Sequence, residues 1–293
     1  MENHDGVDVG IVAYRSRRLL RTCLESLHAH APSRPMRVIV VDNDSRDGTV
    51  EMVREFPEVE LIEPRRNLGY AAAVNLAIKR SDGRYFLALN PDTQMHPGAL
   101  DRLLELMDAG PDIAICGCRL ERKDGTFDHA AKRAFPTVVG ALGHFTGVGR
   151  RPGANGRLAQ YRAPTVESGP VNAVNGAFML IRRRALDEVG LFDEGYWLYM
   201  EDLDLCYRVA EAGWLTWYDP SVVVTHLKGA TTGRNRTFRV NHAFHHGMYR
   251  FYRQHYARSR PRVVNLAIYG GIAAKFAGSA ARSAVNRRLL GRD

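Results

Sequence analysis

Short apolar runs alternate with helical patterns from residue 7 to about residue 116. The apolar runs are rich in β-branched residues and have the length of strands, whereas Leu20, Leu24 and Leu27 repeat at the spacing of one helical face. This alternation is typical of βαβ units and predicts a largely parallel sheet. The run at 37–41 is too apolar to be half exposed, which favours an interior position. Strands are predicted at residues 7–12, 37–41, 59–62, 85–89 and 113–116.

The same patterns place helices between these strands and continue in the second half of the chain. Leu205, Val209 and Ala212 repeat at helical spacing, so we expect Glu201 and Asp202 to open a helix. Further helices are predicted from Val50, from about residue 70 to Ile78, near 97–107 and over 182–189. Further strands are predicted at 173–181 and, as a pair, at 214–218 and 222–225.

Two segments lack this periodicity. Residues 121–170 are rich in Gly, Pro, Arg and His, and a loop of that length in a compact domain is usually functional or mobile. We interpret it as an excursion over a cleft. Lys228, Arg234 and Arg236 lie in a Gly/Thr-rich segment, which we interpret as a flexible basic lid over phosphate.

The overall charge favours an anionic partner. The 293 residues carry a formal net charge of +9, which suits a nucleotide, a diphosphate, an anionic lipid or nucleic acid without choosing among them. Four cysteines without a zinc-like pair of CxxC motifs indicate reduced thiols and a cytoplasmic protein. The polar, acidic N-terminus lacks a signal-peptide pattern, so we expect no export by that route.

Polar clusters follow the predicted strands or open predicted helices. Open α/β sheets bind ligands at the carboxyl ends of their strands, so these clusters predict one cleft. For the third cluster an ordinary turn is the alternative, because all three of its residue types favour turns. The clusters are Ala13-Tyr14, Asp42-Asn43, Asn90-Pro91-Asp92 and Glu201-Asp202.

In order and spacing, these clusters resemble the family-2 inverting glycosyltransferases, which have the nucleotide-sugar-binding GT-A fold. The resemblance covers roughly residues 7–230. Within the family the chain is most similar to bacterial rhamnosyltransferases of cell-envelope polysaccharide synthesis. The motifs that carry this similarity are Val41-Asp42-Asn43-Asp44-Ser45, Asn67-Leu68-Gly69-Tyr70, Leu89-Asn90-Pro91-Asp92 and Glu201-Asp202-Leu203-Asp204-Leu205-Cys206-Tyr207-Arg208.

The resemblance implies an α/β fold with a mixed, mainly parallel central sheet flanked by helices, followed by a C-terminal helical extension. Residues 1–240 would form the GT-A catalytic domain, and 241–293 the basic, amphipathic extension. Within the domain, residues 7–116 would bind the nucleotide and 117–240 the acceptor.

The resemblance also assigns residues to a dTDP- or UDP-linked sugar donor. Ala13 and Tyr14 would lie at the nucleotide, with the Tyr14 ring against the base; a core tyrosine is the alternative. Asp42, with Asn43 beside it, would accept a hydrogen bond from the base N–H, which favours uracil or thymine over cytosine. Helix capping is the alternative for Asp42. Arg66 and Asn67 would meet phosphate or ribose, unless they form a solvated basic turn.

A divalent cation, Mg²⁺ or Mn²⁺, is expected at Asp92, where it would bridge the donor diphosphate. The chain departs from the family's two-aspartate form because the first position is Asn90, a neutral and weaker ligand. His226 would ligate the metal or touch the diphosphate, and a structural histidine is the alternative.

Asp202 is the predicted general base, and its neighbour Glu201 is the rival. Both acids are also explained as carboxylates that complement a helix dipole. Trp197 and Tyr199 would form an aromatic platform for the acceptor, or else belong to the core. Asn175 and Gly176 mark a bend or a close approach of backbone to ligand in the acceptor half.

The tail beyond residue 240 is rich in His, Arg and aromatic residues. Residues 263–281 are apolar and helix-compatible, with Ile268, Ile272 and Phe276 on one face and arginines behind them. We interpret this segment as an interfacial helix on an anionic membrane, at the inner face of the cell membrane, and a helix packed on the catalytic domain is the alternative.

The leading hypothesis is therefore a membrane-associated inverting glycosyltransferase that acts on a glycan or a polyprenyl-linked acceptor, and dTDP-rhamnose is the donor that the resemblance suggests. A sugar nucleotidyltransferase would need a Gly-rich triphosphate loop with a basic residue, which residues 10–14 do not offer. A basic module that binds membrane or nucleic acid is the non-enzymatic alternative. We expect no nucleic-acid partner, because acids at strand ends repel phosphates unless a cation intervenes.

Overall fold

A computed structural model describes residues 4–136, 167–227 and 237–290, with side chains up to residue 283. Most of the predicted excursion at 121–170, and the predicted lid with Lys228, Arg234 and Arg236, lie outside the described residues. The strands are β1 (His4–Ala13), β2 (Met36–Asp42), β3 (Val59–Ile62), β4 (Gly83–Leu89), β5 (Thr93–Gln94), β6 (Ile113–Glu121), β7 (Lys132–Arg133), β8 (Gly169–Val171), β9 (Ala173–Val174), β10 (Phe178–Arg182) and β11 (Leu215–His226). The helices are α1 (Arg17–Ala29), α2 (Thr49–Val53), α3 (Tyr70–Arg80), α4 (Ala99–Ala109), α5 (Arg183–Val189), α6 (Glu201–Glu211), α7 (Phe238–His255) and α8 (Arg262–Leu290).

The central sheet has the order β3-β2-β1-β4-β10-β6-β11-β5, with β8 also paired to β11. Strand β1 is parallel to β2 and β4, and β6 is parallel to β11. Strand β10 runs antiparallel between β4 and β6, which leaves those two strands parallel to each other. The carboxyl ends of β1, β2, β3, β4, β6 and β11 therefore lie at one edge of the sheet. The predicted mixed, mainly parallel sheet is confirmed, and so is the interior position of β2.

The predicted pair of strands at 214–218 and 222–225 is wrong, because both belong to the single strand β11. Asp219, Pro220 and Ser221 have the composition of a turn, but here they form a bulge. Asp219 pairs with Cys118 and Val223 pairs with the next residue of β6, so extra residues are accommodated within one strand. The uninterrupted strand carries His226 to the carboxyl edge.

The predicted bend at Asn175 and Gly176 is confirmed. The segment that we expected as one strand divides there into β9 and β10. Strand β9 pairs with β7 in a small second sheet, whereas β10 joins the central sheet. The bend therefore lies where two sheets meet.

Helices cover both faces of the central sheet, as expected for parallel strands that are apolar along their whole length. Leu24 of α1 and Leu103 of α4 pack into the core on one face. Val74 of α3, Leu186 of α5 and Leu203 of α6 pack into the core on the other face. The four cysteines are buried and free, which agrees with the predicted reduced thiols.

Helix α7 is tied to the segment that carries α6. Its Phe251 is buried in the same core as α6, and His255 Nε2 lies 2.7 Å from Asp204 Oδ1. Arg250 donates from Nε and Nη2 to the carboxylate of Asp193, at distances of 2.8 and 2.9 Å. These contacts hold α7 against the predicted acceptor half. The division of the chain into a domain and an extension at residue 240 stays a prediction.

Helix α8 packs on α7 along one face only. Ile268 and Ile272 are buried against Tyr252, whose hydroxyl donates to Asn265 Oδ1 at 2.6 Å. On the opposite side, Val263 and Leu266 are 73% and 71% exposed. The helix therefore has one packed face, as in the alternative interpretation, and one exposed apolar face.

Candidate active site

The predicted clusters meet at the carboxyl edge of the sheet. Asp42 ends β2 beside Ala13 at the end of β1, where the N–H of Asn43 donates to the Ala13 carbonyl at 2.7 Å. Asp92 follows β4 within three residues, and His226 ends β11. This common edge follows from the parallel strands and brings residues from distant parts of the sequence together.

The two carboxylate oxygens of Asp42 have different surroundings. Oδ2 accepts the N–H of Ser45 at 3.0 Å, which is the capping contact of the alternative interpretation. Oδ1 is buried and meets no hydrogen-bond donor among the described residues. Burial raises the pKa of Asp42, and the bonds from Ser45 oppose this effect in part. One oxygen is therefore structural, and the other is available to a ligand.

Asn43 and Asn67 shape the loop before α3. Asn43 Nδ2 donates to the Gly69 carbonyl at 3.1 Å, and its Oδ1 accepts the N–H of Leu68 at 2.8 Å. Asn67 Oδ1 accepts the N–H of Gly69 at 3.0 Å. The Asn43 side chain therefore supports the loop, and Arg66 lies exposed beside it. A contact of Asn43, Arg66 or Asn67 with the donor stays a prediction.

Tyr14 is 39% exposed, which excludes the core-tyrosine alternative. It follows the end of β1 at the same edge as Asp42, and the guanidinium of Arg15 lies 5.3 Å from the centre of its ring. An exposed ring just past the strand end that pairs with Asp42 has the position expected of a stacking residue, and this role also stays a prediction.

Asp92 and His226 form a buried pair. Asp92 Oδ1 lies 3.3 Å from His226 Nε2, and His226 Nδ1 lies 3.7 Å from Asp128 Oδ2. Burial lowers the pKa of His226, but the two carboxylates outweigh this effect and raise it to about 9. Sequence reasoning missed Asp128, which lies in a segment without periodicity.

These residues fit a divalent cation. Asp92 Oδ1 is a buried carboxylate oxygen, and the imidazole nitrogen Nε2 of His226 lies 3.3 Å from it. Carboxylate oxygen and imidazole nitrogen are suitable ligands for Mn²⁺, and Mg²⁺ accepts one or two carboxylates together with phosphate oxygens. Asn90 is held nearby by its N–H, which donates to the Ala177 carbonyl at 3.0 Å.

Glu201 and Asp202 are the first residues of α6, and their surroundings differ. Asp202 Oδ2 accepts bonds from Arg133 Nη2 at 2.5 Å and from the N–H of Gly176 at 2.9 Å, and Oδ1 accepts the N–H of Leu203 at 2.7 Å. Glu201 Oε2 is buried and meets no donor among the described residues. Burial and the charge of Asp202 raise the pKa of Glu201 to about 8. Asp202 is thus a bonded carboxylate, and Glu201 favours its protonated form at neutral pH.

Asn175 and Gly176 support this pair of acids. Asn175 Oδ1 accepts the N–H of Ala177 at 2.8 Å, and its Nδ2 donates to the Ala130 carbonyl at 3.3 Å. A Cβ atom on Gly176 would lie 3.2 Å from the Cβ of Asp202. The close approach predicted at this glycine is therefore to the side chain of Asp202, and a contact with the acceptor stays a prediction.

Trp197 and Tyr199 precede α6 in a strained turn. Tyr199 and Met200 have φ angles of 71° and 75°, in the left-handed region that non-glycine residues rarely adopt. The guanidinium of Arg239 lies 4.1 Å from the centre of the Trp197 ring. Both aromatic residues are partly buried, and their role as an acceptor platform stays a prediction.

Tyr70 connects the donor clusters to the acids of α6. Its N–H donates to the Trp197 carbonyl at 2.7 Å, and its hydroxyl donates to the Gly176 carbonyl at 3.3 Å. Asn43 bonds the loop that precedes Tyr70, and Gly176 bonds Asp202. Together with the bond from the Asn90 N–H to the Ala177 carbonyl, these short links bring the segments that carry Asp42, Asp92 and Asp202 to the same edge of the sheet.

Comparisons with known proteins agree with this geometry. The Glycosyl transferase family 2 profile matches residues 8–190. The chain is 34% identical over 245 residues to the N-acetylglucosaminyl-diphospho-decaprenol L-rhamnosyltransferase of Mycobacterium tuberculosis, which covers 79% of each protein. These two matches exclude the alternative that the chain is a non-enzymatic module that binds membrane or nucleic acid.

Two solved structures share the fold. The mannosyltransferase PcManGT from Pyrobaculum calidifontis, in complex with GDP-Man and Mn²⁺, has a TM-score of 0.60 at 17% identity over 99% of this chain and 76% of that one. GalNAc-T7 with UDP, GalNAc and Mn²⁺ has a TM-score of 0.64 at 15% identity over 86% of this chain and 48% of that one. The chain therefore belongs to glycosyl transferase family 2 and is a glycosyltransferase with the GT-A fold.

Proposed function

We propose that this glycosyltransferase moves L-rhamnose, with inversion, from a dTDP- or UDP-linked donor to N-acetylglucosamine on a polyprenyl diphosphate. The observation that carries the proposal is the 34% identity to a rhamnosyltransferase of that name over 79% of both proteins. The unsatisfied acids at the sheet edge support it, because a ligand or a cation has to satisfy them.

The nucleotide binds at the ends of β1 and β2. Asp42 Oδ1 accepts the N3–H of uracil or thymine, since this oxygen is buried and has no donor among the described residues. The exposed ring of Tyr14 stacks on the base. Cytosine lacks that N–H group, so the pair selects against cytidine nucleotides.

Asp92 and His226 would hold Mg²⁺ or Mn²⁺, with Asn90 as a neutral ligand beside them. A cation held there would supply positive charge against the negative charge of the leaving nucleoside diphosphate. The chain itself contributes the buried Asp92 Oδ1, which lies 3.3 Å from His226 Nε2 at the carboxyl edge of the sheet.

Asp202 is the general base in a single displacement. The acceptor oxygen bonds to the anomeric carbon, the bond from that carbon to the diphosphate oxygen breaks, and the hydroxyl proton goes to Asp202. Attack opposite the leaving group inverts the anomeric configuration. Gly176 and Leu203 fix the carboxylate through their backbone N–H groups.

Helix α8 brings the enzyme to the membrane that holds the lipid-linked acceptor. Residues 262–283 form a segment long and apolar enough to cross a membrane by length and composition, and only 11% of it is buried. Arg258, Arg260 and Arg262 are exposed at the start of the helix. An apolar face flanked by arginines suits an anionic lipid surface at the inner face of the cell membrane.

The transfer reaction tests the proposal. Purified full chain is incubated with dTDP-L-rhamnose or with UDP-sugars, a short polyprenyl-diphosphate-linked N-acetylglucosamine, and Mn²⁺ or Mg²⁺. We expect a rhamnosylated product whose anomeric configuration, determined by NMR, is opposite to that of the donor. Transfer of a different sugar would contradict the rhamnose assignment, and retention of configuration would contradict the single displacement.

Co-sedimentation with vesicles tests the membrane contact. We expect wild-type protein to sediment with phosphatidylglycerol vesicles and the double variant Val263→Glu/Leu266→Glu to stay in solution. Arg18→Glu, an exposed change on α1 with the same net charge difference, is the control that sediments like wild type. Equal sedimentation of all three proteins would exclude α8 as the contact.

A further inference from the structure

The donors that surround Asp202 differ in mobility. The N–H of Gly176 belongs to the bend between β9 and β10, and the N–H of Leu203 belongs to the first turn of α6. Both are backbone groups fixed by secondary structure. The third donor, Arg133, reaches Asp202 Oδ2 through a long side chain, at 2.5 Å. Of these three donors, only Arg133 can leave without unfolding part of the site.

The bond from Arg133 opposes the reaction assigned to Asp202. Oδ2 accepts both the guanidinium and the Gly176 N–H, so an acceptor hydroxyl has to approach Oδ1, which accepts the N–H of Leu203. A guanidinium also attracts the ionised carboxylate more strongly than the protonated form. Proton uptake by Asp202 is therefore unfavourable while the Arg133 guanidinium stays bound, and it becomes favourable when Arg133 moves away.

The position of Arg133 allows that movement. Its side chain is 16% exposed, and it extends from β7, a strand of two residues. Its Nη2 also donates to the Val174 carbonyl at 2.9 Å, a neutral partner that would not hold the guanidinium against an anion. Charged or titratable groups near this pair include Glu201, Asp204, Tyr70 and Cys206.

The acceptor in the proposed function supplies such an anion. A polyprenyl-diphosphate-linked sugar carries its diphosphate one sugar ring away from the hydroxyl that reacts. When that hydroxyl reaches Asp202, the diphosphate lies within the reach of a neighbouring arginine side chain. Arginine binds phosphate through two parallel N–H bonds, which makes it a suitable partner.

We propose that Arg133 binds the diphosphate of the lipid-linked acceptor and that this binding frees Asp202 to act as the base. The inference rests on the proposed function and adds the residue that recognises the acceptor class. Before the acceptor binds, the Arg133–Asp202 pair keeps the base from activating water. The donor sugar is therefore protected from hydrolysis until the correct acceptor arrives.

Kinetics of full-length variants test this role. Transfer is measured to two acceptors, a short polyprenyl-diphosphate-linked N-acetylglucosamine and an alkyl N-acetylglucosaminide without phosphate. In Arg133→Gln we expect KM for the diphosphate acceptor to rise by about 10-fold to 100-fold, the range of one charge-assisted contact, with KM for the alkyl acceptor unchanged. Hydrolysis of the donor in the absence of acceptor should be faster in Arg133→Gln than in wild type. Both the KM and the hydrolysis rate of Arg133→Lys should lie between those of wild type and Arg133→Gln.

Lys132→Gln is the matched control, because it removes a cation from the adjacent position of β7, where Lys132 Nζ lies 4.8 Å from the centre of the Tyr218 ring. We expect it to leave both KM values and the hydrolysis rate unchanged. An equal loss with both acceptors in Arg133→Gln, or an unchanged rate of hydrolysis, would overturn the proposal.

A binding measurement separates this inference from the proposed function. Farnesyl diphosphate is titrated into each protein by calorimetry in the presence of saturating UDP and Mn²⁺, which occupy the donor site. We expect wild type and Lys132→Gln to bind it and Arg133→Gln to bind about 10-fold more weakly or worse. Equal binding by all three proteins would refute the role of Arg133. If wild type binds the lipid diphosphate but transfers no sugar, the proposed function fails and the assignment of Arg133 stands.

Discussion

The two edges of the central sheet both carry buried acids, and they differ in how those acids are satisfied. At the amino edge, Asp8 Oδ2 accepts the N–H groups of Asp82 and Gly83, both at 2.7 Å, and Oδ1 lies 3.2 Å from His4 Nε2. Arg37 Nη1 donates to Asp82 Oδ1 at 2.6 Å. Every acid in this cluster has donors that the chain itself provides.

At the carboxyl edge, buried oxygens of Asp42 and Glu201 meet no donor in the described part of the chain, and Asp92 Oδ1 faces His226 Nε2 at the long distance of 3.3 Å. Leaving such groups unsatisfied costs stability, so their presence indicates a ligand. Proximity alone does not distinguish the edges: ligand atoms of His4, Asp8 and Asp82 all lie within 4.8 Å of one another, as at a metal site. Arg37 already supplies the positive charge there, which makes the amino cluster structural.

The largest expected effect at the carboxyl edge comes from Asp202→Asn. An amide cannot take the proton of the acceptor hydroxyl, so we expect transfer to fall by roughly 10²-fold to 10⁴-fold, the usual contribution of a general base. Donor binding, followed by the thermal shift that UDP or dTDP causes, should stay close to that of wild type. Loss of donor binding would remove Asp202 from the role of base.

For the free energy of unfolding, we expect the larger effect at the amino edge and the smaller one at the carboxyl edge. Asp8→Asn disturbs a buried, fully bonded carboxylate, and we expect the free energy of unfolding to fall by about 3 kcal/mol. Asp92→Asn removes a charge that faces His226 Nε2 at 3.3 Å, but Asp128 still faces the same imidazole, so we expect a smaller loss, of about 1 kcal/mol. Urea denaturation measures both values. A greater loss in Asp92→Asn would contradict the comparison.

A smaller effect is expected on base selection at Asp42. The Ser45 N–H would hold the amide oxygen of Asp42→Asn, so the NH₂ group would take the place of Oδ1 and face the nucleotide base. An amide donor opposes the N3–H of uracil but matches the N3 acceptor of cytosine. We expect about 10-fold weaker binding of UDP and a gain for CDP, measured by calorimetry. Equal losses for both nucleotides would mean that Asp42 only caps the loop.

The free energy of unfolding should also depend on pH. Burial and the charge of Asp202 raise the pKa of Glu201 to about 8, whereas the unfolded chain ionises at its usual value of about 4.3. Between these two pKa values, Glu201 is protonated in the folded state and ionised in the unfolded state. The stability that Glu201 contributes is therefore fully present below about pH 4 and is lost as the pH rises through 8.

The matched variant for this effect is Glu201→Gln, which keeps the shape of the side chain but does not titrate. We expect the free energy of unfolding of wild type to fall relative to this variant between pH 5 and 8.5, about the window set by the two pKa values. His226 contributes in the same direction, since its pKa is raised to about 9, so the difference between the two proteins is the quantity to measure. Parallel pH profiles would show that Glu201 ionises normally.

Hydrophobic periodicity was sufficient to predict most of the first half of the fold. The strand at 59–62 was predicted with its observed bounds, because a short β-branched run between two helical patterns is typical of a strand. Strand β11 was misinterpreted because Asp219, Pro220 and Ser221 have turn composition, and only pairing with β6 reveals the bulge.

The site was predictable in its residues but not in their bonds. Motif and strand-end position found Asp42, Asp92 and Asp202. Arg133 and Asp128 lie in a segment without periodicity, and tertiary contact alone selects their partners. The sequence also could not show that the side chain of Asn43 is engaged with the loop before α3.

The most direct test of the account is the location of the cation site. Mn²⁺ is titrated into full-length protein with saturating UDP, and free ion is followed by its EPR signal for wild type, Asp92→Asn and Asp8→Asn. We predict that wild type and Asp8→Asn bind the ion and that Asp92→Asn loses it. Retention by Asp92→Asn together with loss in Asp8→Asn would place the cation at the amino edge and contradict the account.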